Sequence, residues 1–110
     1  STVAGKMAPS LQDAAATALL RRCEAATSCN EAIHCAVAVC ATSEPLSAPI
    51  RCLAHTRAGE LLLPTNVAQA GEHFAAALKL CSSASELPPK LLLATLTVVS
   101  HGVRRLLLEG

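Results

Sequence analysis

The clearest pattern of hydrophobic and polar positions in this chain runs from Ser28 to Thr42. Its apolar positions recur every three to four residues, which places them on one face of an α-helix and cannot place them on one face of a strand. These positions are Cys29, Ala32, Ile33, Ala36, Val37 and Cys40. Ser28 stands at the N-cap position and Glu31 follows three residues later, which completes a capping box. The segment is therefore predicted to be an amphipathic helix.

Four further segments combine helical periodicity with residues that start or stop a helix. Ser10 opens a capping-box-like start of a helix that runs to about Ala26, and Pro64 ends the third helix. The predicted starts of the third, fourth and fifth helices are Ser47, Thr65 and the pair Pro88–Pro89. Because short connections join successive helices, we predict an all-α fold of about five antiparallel helices, either a bundle or stacked helical hairpins like a short α-solenoid.

Composition and length are those of one helical domain over residues 1–110, with residues 1–9 predicted to be a flexible N-terminal extension. The chain is 52% hydrophobic with one Phe and neither Tyr nor Trp, and its mean hydropathy of +0.44 favours surface that packs against a partner. The net charge of +1 predicts no strong attraction to polyanions. The longest apolar run, Leu91–Val103, is shorter than the roughly 18–20 residues of a membrane span. We therefore predict no transmembrane segment and interpret the run as a buried helix.

The helical stripes also predict the core and one close helix contact. Gly71 lies on the apolar stripe of the fourth helix, where the usual compensation for its low helix propensity is close approach of a neighbouring helix. Residues predicted to be buried are Ile33, Ala36, Val37, Leu53, Phe74, Leu78, Leu96 and Val99.

The fifth helix has more apolar positions than one seam can use. Its inward seam steps by four, three, four and three residues through Leu92, Leu96, Val99, Val103 and Leu106. Further apolar residues then point away from that seam, and Arg104 and Arg105 adjoin them as a polar rim. The predicted partner-binding residues on this helix are Leu91, Leu93, Val98, Arg104, Arg105 and Leu108. The alternative is that the first helix folds back and covers them.

Arg57 is a further candidate for a partner contact. It lies on or near the inner face of the third helix. Such a side chain either extends its charged end to solvent from an apolar surface or contacts a carboxylate or phosphate of a partner. Both interpretations stay open at this point.

Six cysteines invite a disulfide interpretation, but several lie on apolar helical stripes, where free cysteine behaves as a small hydrophobic residue. They are Cys23, Cys29, Cys35, Cys40, Cys52 and Cys81. Free, buried thiols are the favoured prediction. The alternative is a paired-cysteine helical hairpin that resembles small proteins of the mitochondrial intermembrane space.

No arrangement of residues typical of catalysis is present in the sequence. The four histidines are scattered over four predicted helices, and neither paired carboxylates, a glycine-rich phosphate loop nor a nucleophile elbow occurs. We predict no catalytic residue, cofactor or metal. One alternative is a zinc site with a spacing close to known zinc motifs, formed by Cys35, Cys40, Cys52 and His55.

The segment Glu86-Leu-Pro-Pro-Lys-Leu-Leu-Leu-Ala-Thr-Leu-Thr-Val-Val-Ser-His-Gly-Val-Arg resembles the second helix of organellar helical repeats. In the octotricopeptide and heptatricopeptide families, a helix that begins at proline and has Leu-x-x-x-Leu spacing follows an Ala/Leu-rich helix. The resemblance covers residues 28–108, and two predicted hairpins begin roughly 37 to 41 residues apart, within the range of helical repeats. It implies a setting in mitochondrial or plastid RNA metabolism or organellar ribosomes.

These observations together predict a non-catalytic structural or accessory subunit of a large mitochondrial assembly that acts by packing against other protein subunits. One alternative is a helical-repeat RNA-binding module, although the chain has no basic stripe to support RNA binding. A Cys/His metal-binding helical protein is a second alternative. The cytoplasm is the alternative location.

Overall fold

The computed structural model describes residues 11–42, 46–83 and 87–109, and these residues form five α-helices. Helix accounts for 86% of them and none is in a strand, which confirms the predicted all-α fold. The predicted extension at residues 1–9 and the predicted cap at Ser10 lie outside the described residues. The helices are α1 (Leu11–Ala25), α2 (Cys29–Cys40), α3 (Ala48–Leu62), α4 (Val67–Ser83) and α5 (Pro89–Glu109).

Helix boundaries follow the capping chemistry of the sequence, with one correction. The Ser28 hydroxyl accepts a hydrogen bond from the Glu31 backbone N–H at 3.2 Å, which confirms the N-cap of α2. Asn66, and not Thr65 as predicted, caps α4, because its side-chain oxygen accepts from the Gln69 N–H at 3.2 Å. An extended turn after Pro64 carries the chain one residue further before α4 begins.

The cap of α3 differs from those of α2 and α4 because its side chain makes no capping hydrogen bond. Ser47 occupies the N-cap position with extended backbone angles, and Pro49 follows in the first turn. The Ser47 backbone N–H instead donates to the Asp13 carboxylate of α1 at 3.0 Å. This bond ties the start of α3 to α1.

Helix α3 is the centre of the fold and packs against all four other helices. Consecutive helices pack against each other, whereas α1 and α5 make no contact in the part of the chain that the structure describes. The dimensions of 52 × 30 × 22 Å show an elongated molecule. The alternative in which α1 folds back over α5 is therefore wrong.

The core is built around one aromatic ring and many small side chains. Phe74 is 2% exposed and packs with Ala70, Ala77, Val99 and the end of α3, while half-buried residues of α2 cover the same cluster. Two further clusters join α1, α2 and α3 through alanine, cysteine, leucine and valine side chains. Because most of these side chains are small, the helix axes can approach each other closely.

Two glycines allow α3 and α5 to approach the two edges of the Phe74 ring. A Cβ atom added at Gly59 would lie 2.5 Å from Phe74 Cε1, and one added at Gly102 would collide with the opposite edge of the same ring. Nothing lies within 4 Å of the corresponding position at Gly71. The predicted close approach at Gly71 is thus wrong, and Gly59 and Gly102 are the residues that allow one.

The buried face of α2 is rotated from the predicted one. Cys35 and Val39 are buried, whereas Cys29 is exposed. Helix α2 packs against both α1 and α3, and its Ile33 and Val37 cover the Phe74 cluster from the other side. Nearly every position of this helix is apolar or small, so periodicity alone could not identify the face that is most deeply buried.

The buried face of α5 is also rotated, towards its small residues. Thr95, Val99 and Gly102 are buried, while Leu96 and Val103 of the predicted seam are 42% and 38% exposed. The contact between α5 and the Phe74 ring favours glycine over leucine at the closest point. Leucines of the predicted seam are therefore displaced to the edge of the interface.

Among the residues predicted to be buried, Ala36, Phe74 and Val99 are buried. Ile33, Val37 and Leu53 are half-buried. Leu78, at 39% exposed, joins Leu96 as a wrong prediction.

Candidate functional site

An apolar stripe on the outer side of α5 is the most prominent surface feature of the described residues. It consists of Leu93, Leu96, Val103 and Leu107, of which Leu93 and Leu107 are 68% and 79% exposed. Since each residue advances a helix by about 100°, the four side chains fall within an arc of about 80°. We call these four residues the α5 stripe. Ser100 occupies the remaining position of a heptad-like series between Leu96 and Val103.

A groove between α4 and α5 continues the α5 stripe towards α4. Its volume is about 670 Å³, and Leu96 belongs both to the stripe and to the groove wall. Leu78 on α4 contributes a second exposed apolar side chain to the same groove. The groove is lined by Ala75, Leu78, Lys79, Cys81, Ser82, Leu92 and Leu96. The stripe and groove together form a shallow apolar surface that spans two helices.

The structure divides the predicted partner-binding residues of α5 into two groups. Leu93, Leu108, Arg104 and Arg105 are exposed. Leu91 is half-buried, and Val98 is half-buried against the Phe74 cluster. Helix rotation explains the difference, because turning Gly102 towards Phe74 also turns Val98 inward.

Arg57 is engaged within the chain. Its guanidinium lies 3.4 Å from the carboxylates of Glu24 on α1 and Glu60 on α3. These contacts are on α1 and α3, whereas the α5 stripe is on a helix that α1 does not touch. The arginine therefore connects α1 to α3, and the groups on both sides of it are more than a third exposed, so the ion pairs are weakened by solvent.

One helix of the described residues has the length and composition of a membrane span. The segment Pro89–Leu108 has a mean hydropathy of 1.5 in its most apolar window, of which 17% is buried. A single helix of this kind is weak evidence for a span, so no clear transmembrane segment is present among the described residues. The low buried share also shows that the prediction of a buried helix is wrong for most of α5.

The predicted four-residue zinc set does not come together as predicted. Cys35 is buried among residues of α1, α2 and α3. Cys52 is buried in a different setting, where its thiol lies 4.0 Å from the Cys81 sulfur and 3.3 Å from the Thr95 hydroxyl. Burial and the neighbouring Cys52 thiol raise the pKa of Cys81 to about 11, which keeps it protonated at neutral pH.

The two other residues of that set, Cys40 and His55, lie beside His73. One side-chain ligand atom from each of the three residues lies within 4.8 Å of the others. The two histidines approach most closely, with 3.0 Å between their Nδ1 atoms and 5.2 Å between ring centres. The sequence did not identify His73 as a member of this set. Only the packing of α4 on α3 brings it to His55.

The protonation states in this cluster follow mainly from burial. Burial lowers the pKa of His55, and the nearby His73 and Arg51 lower it further. Burial also lowers the pKa of His73, partly offset by the negative charge of Glu72. Both imidazoles are therefore neutral at pH 7, so the Nδ1–H group of one ring donates a hydrogen bond to the Nδ1 lone pair of the other. Burial raises the pKa of the Cys40 thiol to about 11.

All six cysteines are free in the structure. Cys23, Cys35 and Cys52 are buried, Cys40 and Cys81 are half-buried, and Cys29 is exposed. The buried state predicted for free thiols thus describes three of them fully and does not describe Cys29.

Comparison with protein-family models, with curated proteins and with solved structures finds no match to this chain. The resemblance to organellar helical repeats therefore stays a prediction.

Proposed function

We propose that this chain is a non-catalytic structural or accessory subunit of a larger assembly, and that α5 docks against an amphipathic helix of a partner protein. The α5 stripe carries this proposal. Its side chains are large, apolar and exposed, and they lie on a helix at the edge of the fold. Isolated exposed leucines are common on protein surfaces, whereas a continuous series along one helix is typical of an interaction surface.

The shape of this surface favours a helix as its occupant. The α5 stripe extends over about 21 Å, or four turns, and its three- and four-residue steps match the seam of packed helices. The adjacent groove supplies a second wall, so a partner helix would lie against both α4 and α5. A lipid-facing helix would be apolar over a wider arc, but Thr97 and Arg104 adjoin the stripe on the exposed side.

The energetics require both the stripe and the groove. Full burial of one exposed leucine or valine side chain contributes about 1.5–3 kcal/mol. Because Leu96 and Val103 are already more than half buried, the four residues of the stripe contribute about 3–7 kcal/mol. Association itself costs about 4–15 kcal/mol in lost translational and rotational freedom. The stripe alone therefore gives at most a weak complex. Contacts with Leu78 and the rest of the groove are needed for a stable one.

Two glutamates placed on the stripe test the proposal. The double variant Leu93→Glu with Leu107→Glu charges both ends of the α5 stripe, while the control places glutamates at the exposed alanines Ala14 and Ala94. Both variants change the net charge equally. Tagged chains are isolated under native conditions from cells of the source organism, and their native mass is measured together with their helicity by circular dichroism.

We expect the wild-type chain and the control to migrate at the mass of a large assembly, and the stripe variant to migrate as a monomer with unchanged helicity. A wild-type chain that is already a monomer would contradict the proposal. So would a stripe variant that stays in the assembly. Loss of the assembly upon ribonuclease treatment would instead favour the RNA-binding alternative.

We further propose that the assembly is mitochondrial. The support is the resemblance of residues 28–108 to organellar helical repeats. Fractionation of cells that express the tagged chain tests this location independently of the docking surface. Recovery of the chain with mitochondrial markers is the expected result, and recovery in the cytoplasmic fraction would contradict it.

A further inference from the structure

Three consecutive helices each contribute one metal-ligating side chain to a single cluster. Cys40 is the last residue of α2, His55 lies in the middle of α3, and His73 lies in α4. All three side chains are half-buried, with their ligand atoms within 4.8 Å of one another. A hydrogen bond between two neutral imidazoles explains the pairing of His55 with His73. It does not explain why a thiol from a third helix completes the group.

We propose that Cys40, His55 and His73 form a binding site for a Zn²⁺ ion. This inference goes beyond the docking function, because it concerns different residues and does not depend on α5. A thiolate and two imidazoles are donors that Zn²⁺ prefers, and three protein ligands leave one position for water or a small anion.

The distances require little rearrangement. Two nitrogen ligands bound to tetrahedral zinc at about 2.0–2.1 Å lie about 3.3–3.4 Å apart, and the two Nδ1 atoms are now 3.0 Å apart. A sulfur and a nitrogen on the same ion lie about 3.6 Å apart. The Cys40 sulfur lies within 4.8 Å of one ring nitrogen of each histidine, so it has to approach them by about 1.2 Å at most.

Binding also removes the two protons that the metal-free cluster holds inside the site. The proton shared by the Nδ1 atoms moves to the outer Nε2 of its own ring, so both Nδ1 lone pairs face the ion. The Cys40 thiol loses its proton to solvent and binds as a thiolate. One proton is thus released for each Zn²⁺ bound, and no oxidation or reduction takes place.

The surroundings of His55 favour an anion or water as the fourth ligand. A cavity of about 290 Å³ adjoins His55 and is also lined by Arg51, Lys79, Ala76 and Leu80. Zn²⁺ with one thiolate keeps a net charge of +1, and the two basic residues of the cavity wall add to the positive potential. This charge opposes the cation, while Glu72 beside His73 supplies a compensating negative charge.

Such an ion would connect helices that otherwise have few contacts. The α2 and α4 backbones do not approach each other closely in the described residues, and only side chains meet between them. A zinc ion would link α2, α3 and α4 directly. Because the site exists only in the folded chain, zinc would stabilise the fold.

Cobalt and zinc titrations of the full chain test the site. The chain is reduced, freed of metal with a chelator and titrated with Co²⁺, whose visible absorption reports tetrahedral geometry and whose near-ultraviolet band reports a thiolate ligand. Zn²⁺ is then added to displace Co²⁺. The site variant carries Cys40→Ser, His55→Gln and His73→Gln. The matched control carries the same three changes at the exposed residues Cys29, His34 and His101.

We expect the wild type and the control to bind one Co²⁺ per chain with both spectral features, to lose them to Zn²⁺ and to gain thermal stability with Zn²⁺. The site variant should show none of these effects. The single variant His73→Gln removes a direct ligand. It should therefore weaken Co²⁺ binding by more than the loss of a hydrogen bond to a metal ligand does, which is about 10–100-fold. It also serves as the test if the triple variant does not fold.

Three results would overturn the proposal. One is the absence of tetrahedral cobalt bands in the folded wild type. Another is binding that survives in His73→Gln unchanged. The third is loss of Co²⁺ binding in the control variant, because the metal ligands would then include the exposed residues that the control replaces. Each of these outcomes leaves the docking proposal for α5 unaffected.

Discussion

Phe74 shows how a single residue organises a core that is otherwise made of small side chains. It is the one aromatic residue of the chain, and its ring is fixed between the backbones of α3 and α5 by Gly59 and Gly102. The sequence indicates that Phe74 is buried, because it lies on the apolar stripe of α4. It does not show which glycines contact the ring, since those contacts join residues far apart in the chain.

Alanine substitution should stabilise the chain at one helical glycine and destabilise it at two others. Gly71→Ala should stabilise the chain by about 0.5–1 kcal/mol, since glycine costs that much inside a helix and the added methyl group meets open space. Gly59→Ala and Gly102→Ala should destabilise it, because an overpacking cost of about 1–3 kcal/mol or more exceeds the same gain. Urea unfolding followed by circular dichroism measures all three. Equal stabilisation by all three variants would show that the ring is not confined.

Truncation of buried and exposed apolar residues distinguishes the observed helix faces from the predicted ones. Phe74→Ala should lower the free energy of unfolding by about 3–5 kcal/mol. Leu96→Ala, which the predicted seam would make comparably costly, should cost only about 1–2 kcal/mol in the isolated chain, because its side chain is 42% exposed. A large loss for Leu96→Ala in unfolding measurements would favour the predicted seam over the observed one.

For the helices, the sequence predicts their number and the breaks between them well. It predicts less well which face each helix buries. Local signals define the breaks, such as Pro64 and the cap at Ser28, and these act within a few residues. Rotation depends on the partners of each helix. In α2 and α5 apolar or small side chains lie on more than one face, so Cys35, Thr95 and Gly102 could be recognised as buried only from the packing.

Capping residues should differ in their effect on stability according to their hydrogen bonds. Ser28→Ala and Asn66→Ala each remove a side-chain acceptor from a helix start and should cost about 1 kcal/mol. Ser47→Ala should cost at most a few tenths of a kcal/mol, because its side chain makes no capping bond and its N–H bond to Asp13 uses the backbone. Thermal unfolding of the three variants compares these costs. A loss for Ser47→Ala as large as for Ser28→Ala would contradict the assignment.

At the scale of the whole molecule, position in the fold separates the two candidate functions. Helix α3 contacts every other helix and carries His55, whereas α5 lies at one edge and carries the stripe. The sequence predicted an excess of apolar surface on α5 and identified Leu93 and Leu108 within it. It also placed Leu91 and Val98 on that surface, where the structure has them half-buried. It did not identify His73 as a neighbour of Cys40 and His55, because the packing of three helices brings these residues together.

Site-specific photo-crosslinking from α5 in cells of the source organism tests most directly whether α5 docks against a partner helix. A photoreactive amino acid replaces Leu107 in the tagged chain, and a second chain carries it at the exposed Ala14 of α1. We expect position 107 to crosslink to one segment of a partner protein with apolar residues at helical spacing, and position 14 not to crosslink to it. Crosslinks from position 107 to lipid, to a second copy of the chain, or to nothing beyond what position 14 captures would contradict this expectation.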